Sequence, residues 1–296
     1  METVTVNELV EAGVHFGCRA SRWNPKMAPY IYGRRNLTHI IDLKETVKGI
    51  LRARSVLYHL AADGQSILWV GTKRQVKGVI LDAGERTGMP VVTERWIGGT
   101  LTNFSVIRSR LRRLEELERT EEDGSIHKNP KKIVSRLRRD KRKITRNLGG
   151  IREMTSIPGA MVVVDPSREY NAVREARRMG LVIIGLLDTD CDPTKVDIAI
   201  PGNDDALKSV RLLVNHLITA VEEGGAQARE QMASVGSAQR HDDAADAMPV
   251  GDEPRPTQPL RPLPPLVRTK REDDDDEKSP VPVAPRGDQE ASSDAE

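Results

Sequence analysis

Along the first 222 residues, short unbroken apolar runs alternate with longer stretches in which apolar side chains recur every three or four positions. The runs at 67–70, 91–92, 160–164, 181–187 and 196–200 lack polar alternation, which predicts strands buried on both faces. Between them the spacing is helical. Asp42 caps a stripe of Leu43, Val47, Ile50, Leu51, Leu57 and Leu60 that stops near Gly64, while Lys44, Lys48 and Arg52 take the opposite side. Further helices are predicted through Val76, Ile80 and Ala83, through Val173, Ala176 and Met179, and from Leu207 to Val221. Thr5 and Glu8 form a capping box that opens a short helix near the N-terminus. Buried strands separated by amphipathic helices predict a doubly wound α/β fold with a parallel sheet of about five strands.

One insertion interrupts the cycle. Between Phe104 and Leu148 no strand is predicted, and two helical patterns flank a turn at Asp123-Gly124-Ser125 to Asn129-Pro130. The first pattern is Phe104, Ile107, Leu111, Leu114 and Leu117; the second is Val134, Leu137, Ile144 and Leu148, with Lys141 where the repeat would continue. These spacings predict an antiparallel coiled-coil hairpin over 104–148 that protrudes from a core formed by 1–103 and 149–222. Its second arm carries Lys128, Lys131, Lys132, Arg136, Arg138, Arg139, Lys141, Arg142, Lys143 and Arg146 against the single acid Asp140. A solvated helix face ordinarily mixes signs, as the first arm does with Glu115, Glu116 and Glu118, so the second arm is predicted to contact phosphates.

Composition changes the picture after residue 222. Residues 223–296 contain no Phe, Trp or Tyr but hold 10 of the 18 prolines, and Glu272 to Glu277 are consecutive carboxylates. Such a segment cannot offset its ordering entropy by burial and is predicted to be a disordered acidic tail. The formal total of +2 therefore divides into +10 on the body and −8 on the tail. A basic body suits a polyanionic partner. The N-terminus shows no cationic start followed by an apolar stretch, and no apolar run approaches membrane-spanning length. Two cysteines, Cys18 and Cys191, form no framework or Cys-x-x-Cys pair, so a cytoplasmic chain with no membrane partner is expected.

The N-terminal third holds the densest mixture of aromatic and basic residues. Phe16, Trp23, Tyr30 and Tyr32 are interleaved with Arg19, Arg22, Lys26, Arg34 and Arg35, and Pro25 and Pro29 keep that stretch out of a regular ladder. Aromatic faces stack on bases while cations meet phosphates, which predicts an irregular RNA-binding surface. The same aromatics would also serve as anchors to their own domain.

Enzymatic readings rest on the strand ends, where doubly wound sheets bind ligands. Gly71-Thr72-Lys73-Arg74-Gln75 follows a strand and opens a helix but lacks both the dinucleotide and the Walker spacings. Asp165, Asp188, Asp190 and Asp192 could hold magnesium or accept a phosphoryl group, which makes a magnesium-dependent phosphoryl-transfer enzyme the alternative reading. Asp is also an ordinary loop and cap residue. His15 and Cys18, with His39 as a third, offer weak candidates for zinc, although nothing nearby completes a set of four ligands.

The motifs themselves carry a resemblance. Gly13-Val14-His15-Phe16-Gly17, Arg22-Trp23-Asn24-Pro25-Lys26-Met27, Val70-Gly71-Thr72-Lys73, Arg95-Trp96-Ile97-Gly98-Gly99-Thr100-Leu101-Thr102-Asn103, Asn147-Leu148-Gly149-Gly150 and Ile200-Pro201-Gly202-Asn203-Asp204-Asp205-Ala206 occur in that order. In this the chain resembles the family of the second protein of the bacterial small ribosomal subunit, over about residues 4 to 224. The resemblance implies a flavodoxin-like core with a coiled-coil hairpin and a non-catalytic, ribosome-bound role. It further implies binding to small-subunit rRNA near the junction of head and body, contact with other small-subunit proteins, and help in docking ribosomal protein one. No cofactor and no small-molecule substrate are implied. Arg22, Trp23, Lys26, Arg34, Arg35, Arg95 and Trp96, with Lys131, Lys132, Arg136, Arg138, Arg139, Arg142, Lys143 and Arg146 of the second arm, become RNA-binding candidates. Cys18 stands where the family commonly has a second His, and the tail exceeds the usual family length.

Overall fold

A computed structural model of the chain describes residues 4–245. Its core is a five-stranded parallel sheet of β4 (Ile67–Val70), β5 (Val91–Val92), β6 (Ala160–Val164), β7 (Val182–Leu187) and β8 (Ile198–Pro201). The strands lie in the order β5-β4-β6-β7-β8, the flavodoxin-like arrangement in which the direction of winding reverses between β4 and β6. Successive side chains on a strand point to opposite faces, and the core divides accordingly. Trp69, Val162, Val164, Ile184 and Leu186 pack beneath α2 (Leu43–Ala62), α3 (Lys77–Thr87) and α7 (Leu207–Ala245). Leu68, Val70, Met161, Val163 and Ile183 pack on the other face against α6 (Tyr170–Arg178) and the bases of α4 (Phe104–Glu122) and α5 (Lys131–Leu148).

Local chemistry sets the ends of these elements. The Asp42 carboxylate caps α2 by accepting from the Lys44 amide at 2.9 Å, and Thr5 caps α1 (Val6–Glu11) through the Glu8 amide at 3.4 Å. Gly49 lets α2 lie directly on β8, since a Cβ there would stand 2.4 Å from the Ala199 carbonyl oxygen. Gly224 does the same for α7 against α2, at 2.3 Å from the Tyr58 carbonyl oxygen.

Two expectations need correction. The last helix continues past residue 222 to Ala245. Its prolines begin only at Pro249, and the intervening Ala, Gln, Glu, Arg and Met are strong helix formers. Ala228 is buried beyond the expected boundary. The rest of the expected acidic tail, 246–296, lies outside the described residues. The N-terminal third is also more regular than an irregular surface. It contains a three-stranded antiparallel sheet of β1 (Phe16–Arg19), β2 (Ile31–Arg35) and β3 (Thr38–Ile41), with β3 in the middle. Pro25 and Pro29 avoid the ladder because they lie in a 3-10 helix, Pro25–Tyr30, between β1 and β2. Asn36 and Leu37 join β2 to β3 with φ of 46° and 63°, the two left-handed residues that a tight hairpin requires. Among the described residues, no helix is long and apolar enough to cross a membrane.

Candidate nucleic-acid interface

The small antiparallel sheet presents much of the aromatic and basic chemistry of the N-terminal third. Tyr32 is 81% exposed and Leu37 67%, and Phe16 and Trp23 are also exposed. Arg19, Arg22, Lys26, Arg34 and Arg35 are exposed on the same segment. Arg34 pairs across the strands with His39, whose buried ring lies 5.2 Å from the Trp23 ring and forms no hydrogen bond through either nitrogen. His15 packs on Phe16 at 4.0 Å.

This segment sits on the carboxyl ends of the core strands. The Cys18 amide donates to Asp188 Oδ1 at 3.0 Å and to Thr189 Oγ1 at 2.9 Å, and the Asn24 amide donates to the Thr189 carbonyl at 2.8 Å. Lys26 Nζ bonds Asp192 at 2.8 Å and holds that carboxyl down near 2. The Asn203 amide donates to the Val14 carbonyl at 3.0 Å.

The point of reversal in the sheet, where this fold class takes phosphates, is filled from within. Lys73 Nζ contacts Asp204 at 2.8 Å, Asp165 at 3.0 Å and Asp205 at 3.1 Å. Burial alone would lower the lysine, but its bonds to Asp204 and Asp165 outweigh that and hold it above the usual range. The Thr72 amide and hydroxyl, which would face a phosphate in a nucleotide-binding loop, both donate to Glu169. Asp165 leaves β6 with φ of 59°, and its carboxylate also caps the Arg168 amide at 3.1 Å. The alternative reading of these carboxylates as phosphoryl-transfer machinery is therefore corrected. Asp165 neutralises Lys73, Asp188 binds backbone amides, Asp192 binds Lys26, and Asp190 lies exposed beside Cys191.

The zinc candidates are not brought together. Among the described residues, the groupings close enough to share an ion are Asp165–Cys191–Asp204 and Asp188–Asp204–Asp205, neither of which includes His15, Cys18 or His39. The Cys18 thiol instead accepts from Thr189 Oγ1 at 2.9 Å.

Burial pushes the Asp188 carboxyl up to about 6, reinforced by Asp190 and opposed by the Thr189 amide. The fold therefore binds this proton more tightly than the unfolded chain, whose Asp titrates near 3.9. Between about pH 4 and pH 6 the native state holds the extra proton, so this contribution favours the fold in acid and fades as pH rises through 6. In Asp188→Asn the contribution is gone. Chemical denaturation of both proteins should show the variant gaining about 1.4 kcal/mol relative to the parent between pH 5 and pH 8. A difference that does not change with pH would contradict this assignment.

The second basic surface is α5. Val134, Leu137, Lys141, Ile144 and Leu148 are half-buried or buried, whereas Lys131, Lys132, Arg136, Arg138, Arg139, Arg142, Lys143 and Arg146 are exposed. With 3.6 residues per turn, these eight cations lie on the side of the helix away from the seam. Lys141 does not break the seam. Its ammonium bonds Glu121 of α4 at 2.7 Å, and Arg138 reaches the same carboxylate at 3.4 Å. Among the described residues, Arg139, Arg142, Lys143 and Arg146 are exposed and make no ion pair, although Arg146 lies near enough to Glu94 to help hold that carboxyl low. A groove of about 520 Å³ runs between Val106, Arg110 and Leu117 of α4 and Leu137, Lys143 and Ile144 of α5.

Arg95 is exposed, but its neighbour Trp96 is only 8% exposed and is removed from the RNA-facing candidates. The Trp96 Nε1 donates to Glu175 at 3.0 Å, and the same carboxylate accepts from the amides of Gly99 at 2.8 Å, Leu101 at 3.0 Å and Thr102 at 3.3 Å. Burial would raise the Glu175 carboxyl, but these donors outweigh it and hold it below the usual range. Sequence reasoning misses Glu175, although an acid within the buried stripe Ala172, Val173 and Ala176 is the signal that would find it. Thr189 and Asp204 are also missed as site residues, and their roles depend on long-range packing without a local signal.

Known proteins similar to this chain share one description. A family model described as ribosomal protein S2 matches residues 9–224. A curated relative from Rhodopirellula baltica, named small ribosomal subunit protein uS2, is 51% identical over 233 residues, covering 79% of this chain and 90% of the relative.

Proposed function

Because the chain belongs to the ribosomal protein S2 family, whose members are structural and non-enzymatic components of the small ribosomal subunit, we propose that it binds small-subunit rRNA through two basic surfaces. One is the exposed stripe of α5, and the other is the N-terminal sheet with Arg22, Trp23, Lys26, Arg34 and Arg35. Arg95 belongs to the same reading as an exposed cation. The observation that carries it is the separation on α5 of unpaired cations from a seam turned toward α4. A solvated helix has no need of such one-sided charge, whereas folded RNA is recognised through phosphates and shape.

In this reading α4 and α5 form a coiled-coil hairpin rooted in the core at its base, supported by the spacing of Ile107, Leu111, Leu114 and Leu117 against Val134, Leu137 and Ile144. The protein acts bound to ribosomes in the cytoplasm, near the junction of head and body, beside other small-subunit proteins and with ribosomal protein one docked nearby. Family membership supports these placements. Binding of the purified chain to small-subunit rRNA across a salt series tests the reading. The expected affinity falls linearly on logarithmic axes with a slope of about −4 or steeper, as several phosphate contacts require. A flat dependence on salt would overturn it.

A further inference from the structure

We propose that Asp188 and Thr189 are positioning residues for RNA binding, holding the N-terminal sheet in one fixed pose on the mouth of the core. The inference rests on the RNA-binding reading above and adds to it the device that presents the surface. Three short strands make a sheet that is marginal by itself, so its pose must come from docking. Met27 and the Lys26–Asp192 pair hold the turn after β1, and the docking point of the strands themselves is the middle of β1. There the Cys18 amide is shared between Asp188 Oδ1 and Thr189 Oγ1, across a sequence separation of about 170 residues. Asp188 is 5% exposed and Thr189 is fully buried, so the acceptors are fixed by the core. Gly17 closes the joint: a Cβ there would lie 2.6 Å from Thr189 Cγ2 and 2.9 Å from its hydroxyl. The Asn24 amide on the Thr189 carbonyl then fixes the chain immediately after Trp23.

The carboxyl end of β7 thus performs, for the chain's own backbone, the role that strand ends in this fold class perform for diffusible ligands. A surface held before RNA arrives does not lose loop freedom on binding, which conserves affinity without adding a contact. Asp188 and Thr189 need not touch RNA.

The test uses the full chain and small-subunit rRNA. Hydrogen exchange at residues 16–24, the thermal midpoint, and the affinity and its salt slope are measured for Asp188→Ala, Asp188→Asn and Gly17→Val. Asp188→Ala and Gly17→Val should each speed exchange across β1 and lower affinity about tenfold, with the slope unchanged because every cation remains. Asp188→Asn keeps an acceptor oxygen and should restore both readouts. Wild-type affinity in Asp188→Ala and Gly17→Val, wild-type exchange in β1, or no rescue by Asn would each overturn the proposal. A reduced slope would also overturn it, since contacts would then have been removed and not loosened. Should Asp188→Ala fail to fold, Gly17→Val decides, because it alters the docked strand and leaves the buried acceptors of the core in place. Arg34→Glu with Arg35→Glu is the control: an unaltered slope there would mean that this sheet does not face RNA, a failure of the underlying reading and not of the clamp.

Discussion

Reversing Arg139, Arg142, Lys143 and Arg146 to Glu should lower affinity for small-subunit rRNA about a hundredfold at moderate salt while leaving the thermal midpoint unchanged. These four are exposed, make no ion pair among the described residues, and lie on α5 away from the seam residues Val134, Leu137 and Ile144. Arg138 and Lys141 are left intact, because both bind Glu121 and their reversal would disturb the packing of α5 on α4. Each lost phosphate contact removes about 0.7–0.9 from the logarithmic salt slope, so the variant's slope should be shallower by about three. Filter binding at several salt concentrations reads both quantities. Equal slopes for variant and parent would show that α5 does not meet phosphates.

The largest expected loss of stability comes from Glu175→Ala. Its carboxylate accepts from the Trp96 indole and the amides of Gly99, Leu101 and Thr102, and so fixes the loop that leads into α4. The variant leaves five donors, these four and the Thr102 hydroxyl, facing a cavity, and a buried, hydrogen-bonded charge of this kind is worth about 3–5 kcal/mol when removed. In a core of this size that corresponds to a fall of about 10 °C in the thermal midpoint. Because Glu175 is held below its ordinary value in the fold, its contribution is complete above the unfolded carboxylate range and is lost as pH falls through the folded value. Thermal melts of variant and parent at pH 7 and pH 3 should therefore differ strongly at the first and converge toward the second. Equal midpoints at pH 7 would contradict the role assigned to Glu175.

The parallel sheet was legible because its strands are buried on both faces, so the runs at 67–70 and 160–164 carry their assignment in composition alone. Even the two-residue strand Val91–Val92 showed, bounded as it is by helical spacing. The N-terminal sheet was not legible. Its strands are short and half-exposed, and an arginine-rich strand such as Ile31–Arg35 carries little apolar alternation. Its order comes from contacts such as Cys18 with Asp188, which no local pattern encodes. At the site, sequence spacing identified the cations of α5 but not which of them are consumed by Glu121. Trp96 looked like its exposed neighbour Arg95 because its partner, Glu175, lies 79 residues away. Asp165 and Asp192 looked catalytic for a related reason: their counterions, Lys73 and Lys26, lie far away in sequence.

Sedimentation of a cell lysate through sucrose gradients, with immunodetection of this chain at low and high salt, tests the central claim most directly. Co-migration with small subunits and whole ribosomes, loosened at high salt, is the predicted result. Recovery only at the top of the gradient at both salts would contradict the account.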